Sequence, residues 1–412
     1  MIAVSALRHR NFRLFWTGHA VSSVGTRMQQ AGLLWHLYEL SGSAVALGAM
    51  GAARLVPVLL TSLWGGVVAD RLPRQHIVLV AQACLGLVSL GLGLLALSGT
   101  AQVWHLFAAA VLLEVFSAFD GPARKALVPT LVPPELLPAA LSLTSITKNG
   151  ARLAGPAMMG VTVASIGIGW VYLSNAMSFA VVIWALVRMT VTVPERKKGR
   201  GDALAEIAEG ARYLRNNRLL LVLLGLDFTA NLWAGATVLL PIFAAERLGG
   251  GPELYGLLAS AGAAGGLVAS VALLVLPTPD RPGRAVFAAT CAFGVATMAF
   301  GLAHHTWVAW LALAAIGGAD QISTVLRTTV YQLVVPDALR GRLTAIQMLF
   351  TKGGPRLGEL EAGVVAAAAG LGLSIVSGGV ACVVSAVALL AWAPELWRVD
   401  LLGRLDGEGD PA

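Results

Sequence analysis

The chain has 412 residues, 57% hydrophobic and 12% charged, with a mean hydropathy of +0.76. A soluble domain carries about 25% charged residues, so this chain lacks the polar surface to cover a water-soluble globule. Its net charge of +7 raises nucleic acid as a partner, but the placement of the cations argues against that.

The apolar residues fall in blocks of roughly 20, the length a helix needs to cross about 30 Å of hydrocarbon. Helices satisfy their own backbone polar groups in lipid, and the alternation of a barrel strand is absent. Twelve spans are expected, near 12–38, 44–69, 76–98, 102–121, 139–165, 169–190, 219–246, 254–277, 285–303, 306–329, 342–368 and 371–393. Most connections are short; 122–138, 191–218 and 330–341 are the long ones.

With a cytoplasmic N-terminus, 21 of the 29 Lys and Arg fall in inside loops or at inner span ends, from Arg8 and Arg10 through Lys197 and Lys198 to Arg404. Outside loops hold Arg247 alone. This asymmetry is the positive-inside rule, and it predicts that both termini are cytoplasmic. The basic balance therefore reports topology, with the lipid bilayer as partner and no nucleic acid. The first apolar stretch is too long and polar for a cleaved signal peptide. Cys84, Cys291 and Cys382 lie in separate spans without metal spacing and read as small core hydrophobes.

Two stretches echo each other. Residues 147–156 read TKNGARLAGP and residues 351–360 read TKGGPRLGEL, an offset of 204. Asp70-Arg71-Leu72-Pro73-Arg74 recurs as Asp280-Arg281-Pro282-Gly283-Arg284, Asp120 as Asp320, and Val132-Pro133 as Val335-Pro336. Such offsets indicate a six-span unit used twice. An even number of spans makes the copies parallel, as in transporters that rock two halves around a midplane site. The expected fold is an all-α integral membrane protein of twelve helices in two parallel six-helix repeats. Residues 1–190 form the first bundle, 191–218 a cytoplasmic linker, 219–398 the second bundle, and 399–412 a disordered tail. Within the linker, Leu204, Ile207, Ala211 and Leu214 form a stripe beside Arg212, Arg215 and Arg218, which reads as an amphipathic helix at the inner membrane surface.

No phosphate loop, HExxH, GxSxG or paired CxxC is present. Nothing points to an enzyme, a metal or a cofactor, so transport would draw on an ion or solute gradient. Ionisable residues inside spans are functional candidates because their insertion is costly. On span five, Lys148, Arg152, Gly155, Pro156 and Met159 share a face. On span eleven, Lys352, Arg356, Glu359 and Gly363 do the same. Two cations four residues apart repel, so water, a partner acid or an anionic ligand has to face them. Snorkelling from the inner end and a permanent salt bridge between helices stay open as other readings. Arg27 in span one joins the cavity candidates. For proton coupling, Glu114 in the middle of span four is the best-placed acid, and Asp227 beside Asn231 in span seven comes second; an internal ion pair is the competing reading for each. The cationic excess hints at an anionic or polar substrate such as a siderophore.

Gly66-Val67-Val68-Ala69-Asp70-Arg71-Leu72-Pro73-Arg74 resembles the loop 2–3 signature of the major facilitator superfamily, with Pro73 where Gly is usual. Arg152-Leu153-Ala154-Gly155-Pro156 through Gly160 resembles its span-five antiporter signature, with Ala151 and Met159 in place of two glycines. Asn11 to Trp16, Ser22 to Gly25, Phe119-Asp120-Gly121-Pro122-Ala123-Arg124, Leu240 to Phe243 and Tyr255 to Leu258 look like the enterobactin-exporter-like branch, which also holds macrolide and drug efflux proteins. The resemblance implies a monomeric inner-membrane exporter of a small organic solute, working by alternating access and proton antiport. It implies a conformational gate at Gly66, Asp70, Arg71 and Arg74, their counterparts Asp280 and Arg281, and Asp120, Arg124, Gly155, Pro156 and Asp320. Thr26 and Arg27 stand where the branch often carries Asp, and the span-four arginine signature of many antiporters is absent. An importer or facilitator, or a non-transporting membrane sensor or scaffold, are the alternatives.

Overall fold

A computed structural model describes residues 5–71, 73–189, 203–276, 279–394 and 397. The side chains of 59–71, with Gly66, Asp70 and Arg71 among them, lie outside that description, as do those of Leu204 and Ile207 and the whole of 191–202 and 399–412. The described residues form helices and no strand. In chain order these are α1 (Arg10–Ser41), α2 (Ala44–Arg71), α3 (Arg74–Leu97), α4 (Val103–Leu127), α5 (Leu137–Ile166), α6 (Ile168–Val187), α7 (Ala203–Asn216), α8 (Arg218–Trp233), α9 (Pro252–Val275), α10 (Pro282–Gly301), α11 (Thr306–Val334), α12 (Asp337–Ala369) and α13 (Leu371–Trp392).

Eight stretches of the described residues are long and apolar enough to cross a membrane: α3, α4, α6, Arg218–Arg247, α9, α10, α11 and α13. Helix α2 is apolar over Ala44–Val58. Helices α1, α5 and α12 are as long but carry the charges singled out above. The surface is inverted relative to a soluble protein. Leu274 is 85% exposed and Met177 70%, whereas Gln82 is fully buried and Asp227 only 4% exposed. Exposed apolar side chains of this extent suit hydrocarbon, not water.

The expected span 219–246 is interrupted. Helix α8 stops at Trp233, a 3-10 stretch runs over Ala234–Leu239, and a π turn occupies Phe243–Arg247. Gly235 weakens the helix, and Pro241 removes a backbone donor that the α ladder requires. The expected loop 330–341 is shorter than its polar residues suggested. Helix α11 runs to Val334, and Pro336 caps α12. Proline suits a helix start because its missing donor would be unsatisfied there in any case.

The chain divides into two compact units, Met1–Lys198 with Leu240–Ser260, and Gly199–Leu239 with Ala261–Ala412. In the first, α3 packs on α6 and α4, α1 on α5 and α6, and α2 on α4. In the second, α10 packs on α13 and α11, α8 on α12 and α13, and α9 on α11 through Gly262, Gly265 and Gly317. Hydrophobic burial drives helix association weakly in lipid, so small residues that admit close backbone approach carry much of this packing. One joint is shared. Gly167 links α5 to α6 at φ +94, and Gly370 links α12 to α13 at φ +94. Both turn the chain in one residue, in a backbone region that side chains disfavour.

Helix α7 belongs to the second unit. Leu214 is buried with Tyr331, Val335, Leu343 and Ile346, and Arg342 pairs with Glu209 at 2.6 Å. Glu209 is 57% exposed. Arg342→Ala is therefore expected to cost less than about 1 kcal/mol, as surface pairs do. Leu214→Ala is expected to cost about 2–5 kcal/mol through cavity creation. Thermal unfolding in detergent compares the two.

Candidate functional site

In the first unit the polar side chains meet where α1, α3 and α4 converge. Arg124 of α4 donates to Asp120 one turn earlier and to His19 Nδ1 on α1. Gln82 Nε2 of α3 donates to the other Asp120 oxygen at 2.9 Å. His19 stacks on Phe15, with ring centroids 6.0 Å apart, and its Nε2 is buried without a partner among the described residues. Asp120 and Arg124 thus sit inside a buried network that ties three helices together.

Beside this network stand the candidate cations. Gly155 lets α5 approach α1 so closely that a Cβ there would collide with Arg27 Cβ and lie 3.1 Å from Met28 N. Arg27 donates to Gln30 Oε1 at 2.9 Å. Lys148 and Arg152 are exposed on the same helix as Gly155, with no ion-pair partner among the described residues. The charges acting on Lys148 are those of Lys125, Arg124, Arg152 and Arg27, all cationic. The expected stripe on span five thus splits in use: Gly155, Pro156 and Met159 are buried in helix contact, while Lys148 and Arg152 remain accessible. Gly160 makes a separate contact with the start of α9, its Cβ position 2.9 Å from Glu253 Cα. Nearby, Trp35 of α1 stacks on buried Tyr255 at 5.6 Å, and Tyr255 donates to Ala31 O at 3.3 Å.

In the second unit, Asp227 of α8 is buried and fully engaged. Arg327 Nη2 of α11 donates to Oδ1 at 2.6 Å, Asn231 Nδ2 to Oδ1 at 2.9 Å, and Thr351 Oγ1 of α12 to Oδ2 at 3.0 Å. This is the internal ion pair that competes with a proton-carrying role for Asp227. Arg356 of α12 donates to both oxygens of Glu359, at 2.8 and 3.1 Å, and Lys352 is exposed. Glu114 is half-buried in the middle of α4.

The remaining gate candidates occupy helix ends or faces. Arg74 opens α3 and donates to Ala126 O of α4 at 2.8 Å. Asp280 is exposed, Arg281 caps α10, and Asp320 is exposed on α11. Gln82 and Thr351, the neutral partners of the acids, are not among the sequence candidates. The repeat offset carried a signal: His19 and Asp227 are 208 residues apart, Arg124 and Arg327 203, Thr147 and Thr351 204. In the first unit Arg124 of α4 holds a polar residue of α1, and in the second Arg327 of α11 holds one of α8.

A helical protein with long apolar helices whose apolar faces point outward is an integral membrane protein in class. The chain belongs to the transmembrane secretion effector family of the major facilitator superfamily, which it matches over residues 2–402. A Staphylococcus aureus staphyloferrin A transporter is 25% identical over 82% of this chain and 85% of its own. The multidrug efflux pump Tap of Mycobacterium tuberculosis is 26% identical over 90% of each chain. A solved POT family transporter in complex with 5-aminolevulinic acid shares the fold, with a TM-score of 0.74 at 12% identity over 94% of this chain and 96% of that one. The resemblance to siderophore and drug exporters is borne out at the level of family, and the chain is a multi-pass membrane transporter of small solutes, not an enzyme.

Proposed function

We propose that the chain is a secondary exporter of a small organic solute, siderophore or drug-like, using alternating access and proton antiport. It crosses the membrane twelve times as two parallel six-helix repeats, acts as a monomer, and keeps both termini in the cytoplasm. The observation that carries the reading is the gathering of accessible cations on membrane helices: Arg27, Lys148 and Arg152 beside α1 and α5, and Lys352 with the Arg356–Glu359 pair on α12. Such groups are costly in lipid unless they face a watered path or a ligand. Support for the twofold repeat comes from the paired glycine joints, the paired basic-to-polar bonds and the matching helix partners. In this scheme Asp70, Arg71 and Arg74 with Asp280 and Arg281 form the cytoplasmic gate, and Asp120, Arg124, Gly155, Pro156 and Asp320 transmit its movement. Glu114, half-buried in the middle of α4, carries the coupling proton.

Flux into inside-out proteoliposomes under an imposed proton gradient tests the reading, with a panel of siderophores and dyes as solutes. Accumulation that collapses on dissipating the gradient is the expected result. Flux indifferent to the gradient overturns antiport. Glu114→Gln is expected to abolish gradient-driven accumulation while sparing solute exchange between the two sides. Full gradient-driven transport by that variant removes Glu114 from the mechanism.

A further inference from the structure

We propose that Lys125, Lys148, Arg152 and Arg27 form a cationic ladder that loads a multiply charged anion, of the polycarboxylate class, from the cytoplasmic side. The inference rests on the exporter reading above for its direction; its binding chemistry does not.

The four cations follow one another in depth. Lys125 lies in the last turn of α4 and is exposed. At 1.5 Å per residue, Lys148 stands about 16 Å into α5 from Leu137, and Arg152 one further turn, about 22 Å. Arg27 stands about 26 Å into α1 from Arg10. Helices α1 and α5 start at the same end of the bundle, where α4 ends, so these depths run in one direction from one surface.

Three observations make this a site and not a scatter of charges. First, Gly155 has no side chain where Arg27 crosses α5, which brings the Arg27 backbone against that helix one turn from Arg152. The close approach brings cationic residues of two different helices to one junction. Second, neutralisation is missing where it would be cheapest. The partner of Arg27 is the neutral amide of Gln30, and none of Arg27, Lys148 and Arg152 has an ion-pair partner among the described residues. The nearby acid Asp120 is already bonded to Arg124 and Gln82. Third, the cations are graded in accessibility, with Lys125, Lys148 and Arg152 exposed and Arg27 half-buried. Like charges held this closely in a membrane helix pair lower their energy by binding an anion. Several cations spaced along a path match several carboxylates on one molecule better than a single charge. They repel an organic cation at every step.

Equilibrium binding to the purified full-length protein, without any gradient, tests this separately from transport. The probes are tricarballylate, which carries three carboxylates, and tetraphenylphosphonium, a lipophilic cation. Tricarballylate is expected to bind, to weaken as salt rises, and to weaken roughly ten-fold in Arg27→Gln, Lys148→Gln or Arg152→Gln, the size of one well-placed charge contact. Arg152→Lys keeps the charge and is expected to retain most of the affinity, which separates lost charge from a disturbed fold. Arg218→Gln, at the start of α8 with its guanidinium over the Trp392 ring, is expected to leave binding unchanged. Equal tricarballylate affinity in the wild type and the three neutralised variants overturns the ladder, as does binding of tetraphenylphosphonium alone. Tricarballylate binding with proton-indifferent flux would leave the ladder standing and remove antiport.

Discussion

Arg327→Met is expected to destabilise the protein by about 3–5 kcal/mol, the cost of leaving one partner of a buried ion pair without the other. Both side chains are only 6% exposed. The substitution leaves Asp227 ionised with two neutral donors, Asn231 and Thr351. Those hydrogen bonds offset part of the charge but supply no countercharge. Asp227→Asn is expected to cost less, because an amide can still accept from Thr351, yet it strands the guanidinium. The pair taken together behaves differently. Replacing a buried ion pair with apolar residues of similar volume is often neutral, so Asp227→Leu with Arg327→Met is expected to recover most of the stability lost by Arg327→Met. Thermal unfolding in detergent reads both. A double variant no more stable than the single one would show that the pair's geometry, and not its charge balance, holds α8 to α11. Flux by the recovered double variant then asks whether the pair takes part in transport: unchanged accumulation confines it to structure.

That pair illustrates how far residues could be read without coordinates. Membrane helices were legible because their length and composition admit few alternatives in lipid. The sequence echo was legible wherever the same chemistry recurs, as in Lys148 and Lys352. It was obscured where the chemistry had diverged, as between His19 and Asp227, an imidazole in one unit and a carboxylate in the other. Their arginine partners lie on other helices, and local spacing gives no account of that. The break after Trp233 left only Gly235 and Pro241 as marks, and either is tolerated inside a membrane helix. Depth and accessibility separated residues that share a face: Lys148 and Gly155 belong to one stripe, yet one is exposed and the other is the contact itself.

The glycines show that distinction most sharply, and they yield the second large effect. Gly317→Val is expected to abolish recovery of folded protein. At Gly317 a Cβ would run into the carbonyl of Gly262, backbone against backbone. No rotamer relieves that clash, so α9 and α11 would have to separate, and with them the close approach that holds helices together in lipid. Gly317→Ala places that same Cβ against the Gly262 backbone, so it too is expected to cost more than about 3 kcal/mol, above the usual range of overpacked cores. Gly150 is the control, because it belongs to the recurring TKNGARLAGP motif and looks equally constrained in sequence. Around Gly150 nothing lies within 4 Å of a Cβ position. Gly150→Ala is therefore expected to be neutral or to stabilise α5 by up to about 1 kcal/mol, the helix preference of alanine over glycine. Its counterpart Gly354 has Phe228 Cδ2 at 3.3 Å and Asn231 Cβ at 3.5 Å, so Gly354→Ala should fall between the two. Size-exclusion yield and melting temperature order the series. A stable Gly317→Val protein, or a Gly150→Ala protein less stable than Gly354→Ala, would break the link between recurrence, close approach and stability drawn here.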